Sequence, residues 1–258
     1  MTQSSRRPAL FALTFLLPLV LGAPTAARAA VGQPIEIIDR PRTLPGGELE
    51  LRGGVDLARS SYTDATGTHS QTSLSAPLDL GYGVSDQLDL YVFYALGLHP
   101  TVTGKTPVEI RLAFTFFRDR RLSAAGQVRS GVDLGSHDVT PLVLGVNALY
   151  KVAGAFAVFT PGEQLRVGLA GSNRPIGLDL PVGFGLQVTP QVFGSLTTNL
   201  AHIGIANDSD SFILADMLPA NLALFYSFSS RLDVGAHLDI DLQHTNHVAV
   251  GALVRAFM

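Results

Sequence analysis

Residues 74–98 read LSAPLDLGYGVSDQLDLYVFYALGL. Leu74, Ala76, Leu78, Leu80 and Tyr82 fall on one parity and Ser75, Pro77, Asp79 and Gly81 on the other, until Gly83-Val84-Ser85-Asp86-Gln87 breaks the run. Alternation then resumes: Leu88, Leu90, Val92, Tyr94, Leu96 and Leu98 share one face, and Asp89, Tyr91, Phe93, Ala95 and Gly97 the other. A period of two is the signature of a strand. Two such runs joined by a short Gly/Ser/Asp turn predict an antiparallel hairpin.

The same design extends in both directions. Residues 48–59 set Leu49, Leu51, Val55 and Leu57 against Glu48, Glu50, Arg52 and Asp56. Val108, Ile110, Leu112, Phe114 and Phe116 oppose Glu109 and Arg111, and residues 122–134 carry Gln127, Arg129 and Asp133 on their polar side. Alternating runs return over 176–186, 192–201, 218–228, 232–242 and 248–258, with weaker ones over 142–150 and 151–170; Thr160-Pro161-Gly162 interrupts the last. Twelve strands are predicted. The polar stretches 60–71, 99–107, 135–141, 171–175, 202–216 and 243–246 read as loops, and they alternate with short turns.

The N-terminus has a different character. Arg6 and Arg7 precede an apolar run over 9–21 and a small-residue segment ending Ala27-Arg28-Ala29, the pattern of a secretory signal peptide cleaved after Ala29. An N-terminal anchor is the alternative, but 13 apolar residues interrupted by a proline are short for a span. Residues 30–47 hold Pro34, Pro41 and Pro45 without sustained alternation and read as a periplasmic lead-in of little structure. Residues 48–258 form the barrel domain of this reading.

Composition narrows the choice further. The chain has no cysteine, so it forms no disulfide and takes no lipid through a thiol. Without residues 1–29 it carries 15 basic and 21 acidic side chains, a balance that gives no basic face for nucleic acid. Hydrophobic residues make up 47% and charged ones 15%, yet no stretch beyond the N-terminus has the continuous length of a transmembrane helix. Alternating strands carry apolar surface without such a stretch, because only every second residue faces lipid.

A soluble sandwich would show the same alternation with its apolar face as a core. Three features favour lipid instead. Long polar loops alternate with short turns. The apolar-face aromatics Tyr82, Phe116, Tyr150, Phe184, Tyr226 and Phe228 all sit near the short-turn end, as a headgroup-level girdle would. A sheet in hydrocarbon must also close, and an even strand number puts both chain ends on the periplasmic side. The expected fold is thus all-β, a closed antiparallel transmembrane β-barrel of about twelve strands in an up-and-down meander.

On its leader, on hairpins such as LDLGYGVSDQLDLYV and LDLPVGFGLQVTPQVFGSL, and on the final strand VAVGALVRAFM, the chain resembles the outer-membrane β-barrel proteins of Gram-negative bacteria, porin-like or transporter-like. The resemblance implies an outer-membrane location, passage of small solutes, contact with outer-membrane lipids and insertion by the barrel-assembly machinery. Members of the class commonly end in an aromatic residue; here Phe257 is penultimate and Met258 last.

If the apolar face meets lipid, the other face lines a lumen. Its expected charges are Glu48, Glu50, Asp56, Asp79, Asp89, Glu109, Asp133, Asp179, Asp233, Asp239 and Asp241 against Arg52, Arg111, Arg129 and Arg166, with His237 beside them. Eleven acids against four arginines predict a preference for cations. The expected function is therefore a passive or gated channel for small polar or cationic solutes. The alternative is a closed scaffold whose outer loops bind a partner. Arg111 and Arg129 are expected to lie side by side and to pair with lumenal acids. His237-x-Asp239-x-Asp241 offers metal-type ligands, but alternate strand residues lie about 6.6 Å apart, loose for one ion, so no metal and no cofactor is expected. The seven histidines fall in the outer half, yet no nucleophile motif accompanies them, and no enzyme is expected.

Overall fold

The computed structural model describes residues 33–64, 67–99, 107–170, 174–208, 211–213, 219–242 and 247–258. The expected signal peptide, residues 1–29, lies outside them. The strands in chain order are β1 (Leu49–Asp64), β2 (Gly67–Ser85), β3 (Leu88–His99), β4 (Pro107–Arg118), β5 (Leu122–Asp133), β6 (Leu142–Ala153), β7 (Phe156–Pro161) and β8 (Leu165–Val167). They continue as β9 (Ile176–Gln187), β10 (Val192–Ala206), β11 (Phe212–Ile213), β12 (Pro219–Ser229), β13 (Leu232–Asp241) and β14 (His247–Phe257).

Each wall strand pairs antiparallel with its sequence neighbours, and β1 pairs with β14 from Glu50↔Phe257 to Ser60↔His247. That last pairing closes the ring. β7 and β8 are two halves of one wall strand between β6 and β9, and β11 is a short piece on β10, so the wall is a twelve-strand meander. The first strand begins and the last ends at the rim of short turns, where Leu49 and Met258 exchange backbone hydrogen bonds of 2.8 Å.

Side-chain placement is the reverse of a soluble protein's. Phe116, Leu180 and Phe228 are 57%, 56% and 63% exposed on the outer face, whereas Asp89 and Asp233 are 1% and 0% exposed inside. Leaving this many large apolar side chains uncovered is stable only if hydrocarbon covers them. The soluble-sandwich alternative therefore fails on geometry. Phe116, Tyr150, Phe184, Tyr226 and Phe228 all point outward near the short-turn rim, with Tyr226 and Phe228 edge to face at 4.8 Å.

Four local readings are corrected. Residues 60–64 and 67–71 are strand and not loop: β1 and β2 stay paired up to Asp64↔Gly67, beyond the point where β14 and β3 stop flanking them. They stand above the wall as a two-stranded ribbon. His202 is not a loop residue but part of β10, which runs on to Ala206. Within 151–170 the wall strand breaks after Pro161, where two residues of β6, Gly145 and Val146, face three of the partner, Gly162, Glu163 and Gln164. Gly162 sits at φ +90°, which a side chain would resist. Here the Gln164 side-chain amide takes the place of the missing peptide, accepting from Val146 N at 2.7 Å and donating to Val146 O at 3.2 Å. Last, residues 33–48 are structured, with a 3-10 turn at Ile37–Asp39.

That N-terminal segment crosses the inside of the barrel. Ile38 packs on Leu149, Ala157 and Phe193 of β6, β7 and β10, and its N–H donates to the Gln187 side chain on β9 at 3.1 Å. Thr43 meets Thr115 of β4 through their hydroxyls at 2.9 Å, and the Leu44 N–H donates to Asp89 of β3 at 3.0 Å. Asp39 pairs with Lys151 of β6, and Arg40 with Asp233 of β13. One short segment thus reaches strands all around the ring. It leaves by passing over Gly83, where a Cβ would lie 1.9 Å from the Pro45 carbonyl oxygen, so this site in β2 admits only glycine.

Candidate functional site: the barrel interior

Strand parity places the expected polar residues on the interior face. Glu50, Arg52 and Asp56 lie on β1, Asp79 on β2, Asp89 on β3, Glu109 and Arg111 on β4, Arg129 and Asp133 on β5, Arg166 on β8, Asp179 on β9, and Asp233, His237, Asp239 and Asp241 on β13, with Glu48 just before β1. Two of them lie at the rim rather than deep in the interior. The Asp133 carboxylate accepts from the N–H groups of Gly135 and Ser136 at 2.7 and 2.8 Å and fixes a loop, and Arg166 is exposed.

Four interior charges escaped the sequence reading. Arg255 follows the parity of β14, whose Val250 and Val254 point out, so alternation alone could have found it. Glu163 enters at the break between β7 and β8, and Arg40 and Arg42 arrive on the crossing segment; no periodic signal marks these three. With the two rim residues set aside, the expected and added charges come to eleven acids against six arginines among the described residues.

The charges are sorted along the axis. Towards the long-loop rim, His237 lies 3.5 Å from both Asp56 and Asp239, and His202 bridges Asp179 at 2.8 Å and Asp208 at 3.0 Å. Among the described residues no group of histidines and acids is gathered tightly enough to hold a metal. At mid-height Arg111 and Arg129 lie directly opposite across β4 and β5. Arg129 pairs with Glu109 at 3.4 Å and Glu163 at 2.7 Å, and Arg111 reaches Asp89 at 3.6 Å.

At the short-turn end, Asp233 receives both guanidinium nitrogens of Arg40, one at 2.8 Å, and Arg255 at 3.0 Å. Arg52 pairs with Asp79, and the Tyr91 hydroxyl donates to Glu50. Such fork-to-carboxylate pairing offsets the cost of enclosing the charges. Between the crossing segment and the wall remains a cavity of about 230 Å³, lined by Arg40, Arg42, Arg52, Arg111 and Arg255 with Glu50. Burial and the neighbouring Arg255 push the Arg42 guanidinium down to about 10.

No protein-family model matches the sequence, and no curated protein does. Solved structures do match. The NanC porin shares 10% identity, with 81% of this chain and 99% of that chain covered and a TM-score of 0.54. An outer membrane channel from Pseudomonas putida F1 shares 12%, covering 84% and 97%, at 0.51. The fold is that of outer-membrane β-barrels. The translocator domain of the autotransporter NalP from Neisseria meningitidis matches the barrel too, at 8% identity, 82% and 88% coverage and a TM-score of 0.50. One wall architecture thus carries different tasks, and function must be argued from the interior.

Proposed function

We propose that the barrel sits in the outer membrane with its short turns in the periplasm and acts as a gated channel for small polar solutes, its inner end closed by residues 33–48. The observation that carries this reading is the crossing segment. A barrel meant only as a scaffold could fill its interior with wall side chains. This one instead uses a separate stretch of chain, held by two small apolar clusters around Ile38 and Leu44, a few hydrogen bonds and ion pairs, all of which can release without disturbing the wall ladder. The acid-rich outer half gives the entrance a cation preference, and the arginines near the inner end oppose it, so the net selectivity is modest.

The test uses the absence of cysteine. Thr43 and Thr115, with hydroxyls 2.9 Å apart, are both replaced by cysteine in the full chain. In planar bilayers the oxidised protein is expected to be silent and dithiothreitol to restore discrete steps. Equal conductance in the two states, with the disulfide verified by mass, overturns the gate; silence of the wild type at high voltage overturns the channel.

The free-standing β1–β2 ribbon supports a second reading, a closed barrel whose outer surface binds a partner. A third and weaker reading, a surface hydrolase built on the outer histidines and acids, gains less. His202 does converge with two acids, but carboxylates hold both ring nitrogens, which leaves none to activate a nucleophile.

A further inference from the structure

The arginines at the inner end are unequally served. Arg40 and Arg255 share Asp233, and Arg255 also lies 3.9 Å from Glu50. Arg52 has Asp79. Arg111 has Asp89 at the long distance of 3.6 Å and lies over the Tyr91 ring, 4.2 Å from its centroid. Arg42 has no carboxylate within ion-pair distance among the described residues; its one hydrogen bond, to the Arg40 carbonyl oxygen, is 3.3 Å long. The Nε atoms of Arg42 and Arg111 are both enclosed without an acceptor. An enclosed guanidinium without a counter-charge is unfavourable, and Arg42 borders one cavity together with Arg111.

We propose that this cavity is a binding site for a small monocarboxylate with an apolar or aromatic body, its carboxylate held by Arg42 with Arg111 and Arg255 beside it. One uncompensated cation calls for one negative charge. A carboxylate presents two acceptors in a plane, the geometry that matches a guanidinium fork. The rest of the lining chooses the body. Ile37, Pro41, Leu44, Tyr91 and Phe257 share the lining, with Arg111 over the Tyr91 ring and Arg255 over the Phe257 ring, so a carboxylate at the arginines has apolar surface within reach of its body. The volume of about 230 Å³ suits one aromatic ring, since a cavity of about 150 Å³ already admits benzene. Glu50, the one acid in the lining, is engaged by the Tyr91 hydroxyl and faces Arg255. Arg42 belongs to the crossing segment and Arg111 and Arg255 to the wall, so a carboxylate between them ties the two together. The ligand would favour the closed state of the proposed channel.

The test is 19F NMR of 4-fluorobenzoate with the full chain in detergent, where binding is read whether or not the barrel conducts. Saturable line broadening is expected, with none for 4-fluorobenzyl alcohol and little displacement by inorganic phosphate. Arg42→Gln is expected to weaken binding by roughly tenfold or more, as loss of a charge-assisted hydrogen bond does, while Arg42→Lys retains part of it. If Arg42→Gln loses the heat-modifiable migration of a folded barrel, Arg111→Gln takes its place. Absence of saturable broadening, equal broadening by the alcohol, or unchanged affinity in the folded glutamine variant overturns the site. A silent protein that binds benzoate refutes the channel alone, and a conducting one that does not bind it refutes the site alone.

Discussion

Asp233 shows what one residue does here. It is fully enclosed and carries two arginines, one from the crossing segment and one from β14. Replacing it with asparagine leaves two guanidinium groups without their counter-charge, and the expected loss in a urea-refolding assay in detergent is about 3 kcal/mol, in the range for breaking one side of a buried pair. Leu78, 49% exposed on the outer face, tests the opposite environment. Leu78→Arg is expected to cost about 2–4 kcal/mol in the same assay, the price of a cation at mid-depth in a bilayer. A change within experimental error would mean that water, not lipid, covers that face. Both positions were legible in the sequence because parity assigns a side. Their partners were not: nothing in the order of residues joins Arg40 to a carboxylate on β13.

At the scale of elements, hairpins with short turns could be read directly, since period-two alternation survives in every wall strand that stays regular. The reading failed where regularity fails. Pro161-Gly162 announced a break, but not that Glu163 would turn inward to Arg129 or that Gln164 would repair the ladder at Val146. Those are tertiary consequences of one extra residue. Gln164→Ala is expected to destabilise the barrel by about 2 kcal/mol, because an unpaired peptide group in a water-poor layer is costly. Faster amide exchange at Val146 than in flanking β6 residues would locate the damage. The ribbon of 61–64 and 67–73 was missed for another reason: Ser, Thr and Gly suit turns and edge strands alike, and composition does not separate them.

For the whole molecule, closure follows from physics more than from any motif, since a sheet among acyl chains cannot leave an edge. The β1–β14 pairing meets that demand and predicts that unboiled protein migrates faster than boiled protein on a detergent gel. The interior was legible as polar but not as divided. Alternation gives a list of charges without their heights along the axis, and the crossing segment has no alternation to read. Its three prolines were a fair sign of irregular backbone, and the isolated Ile38 and Leu44 are too few to announce a buried contact.

Arg40 and Asp233 are 193 residues apart in the chain. During synthesis the stretch that carries Arg40 emerges early, while its acceptor arrives with the last hairpin. Seating therefore has to wait until the wall is complete. Protection of residues 33–48 from a protease would mark the moment of maturity, and an assembly intermediate lacking the final two strands would be cut there while its finished strands resist.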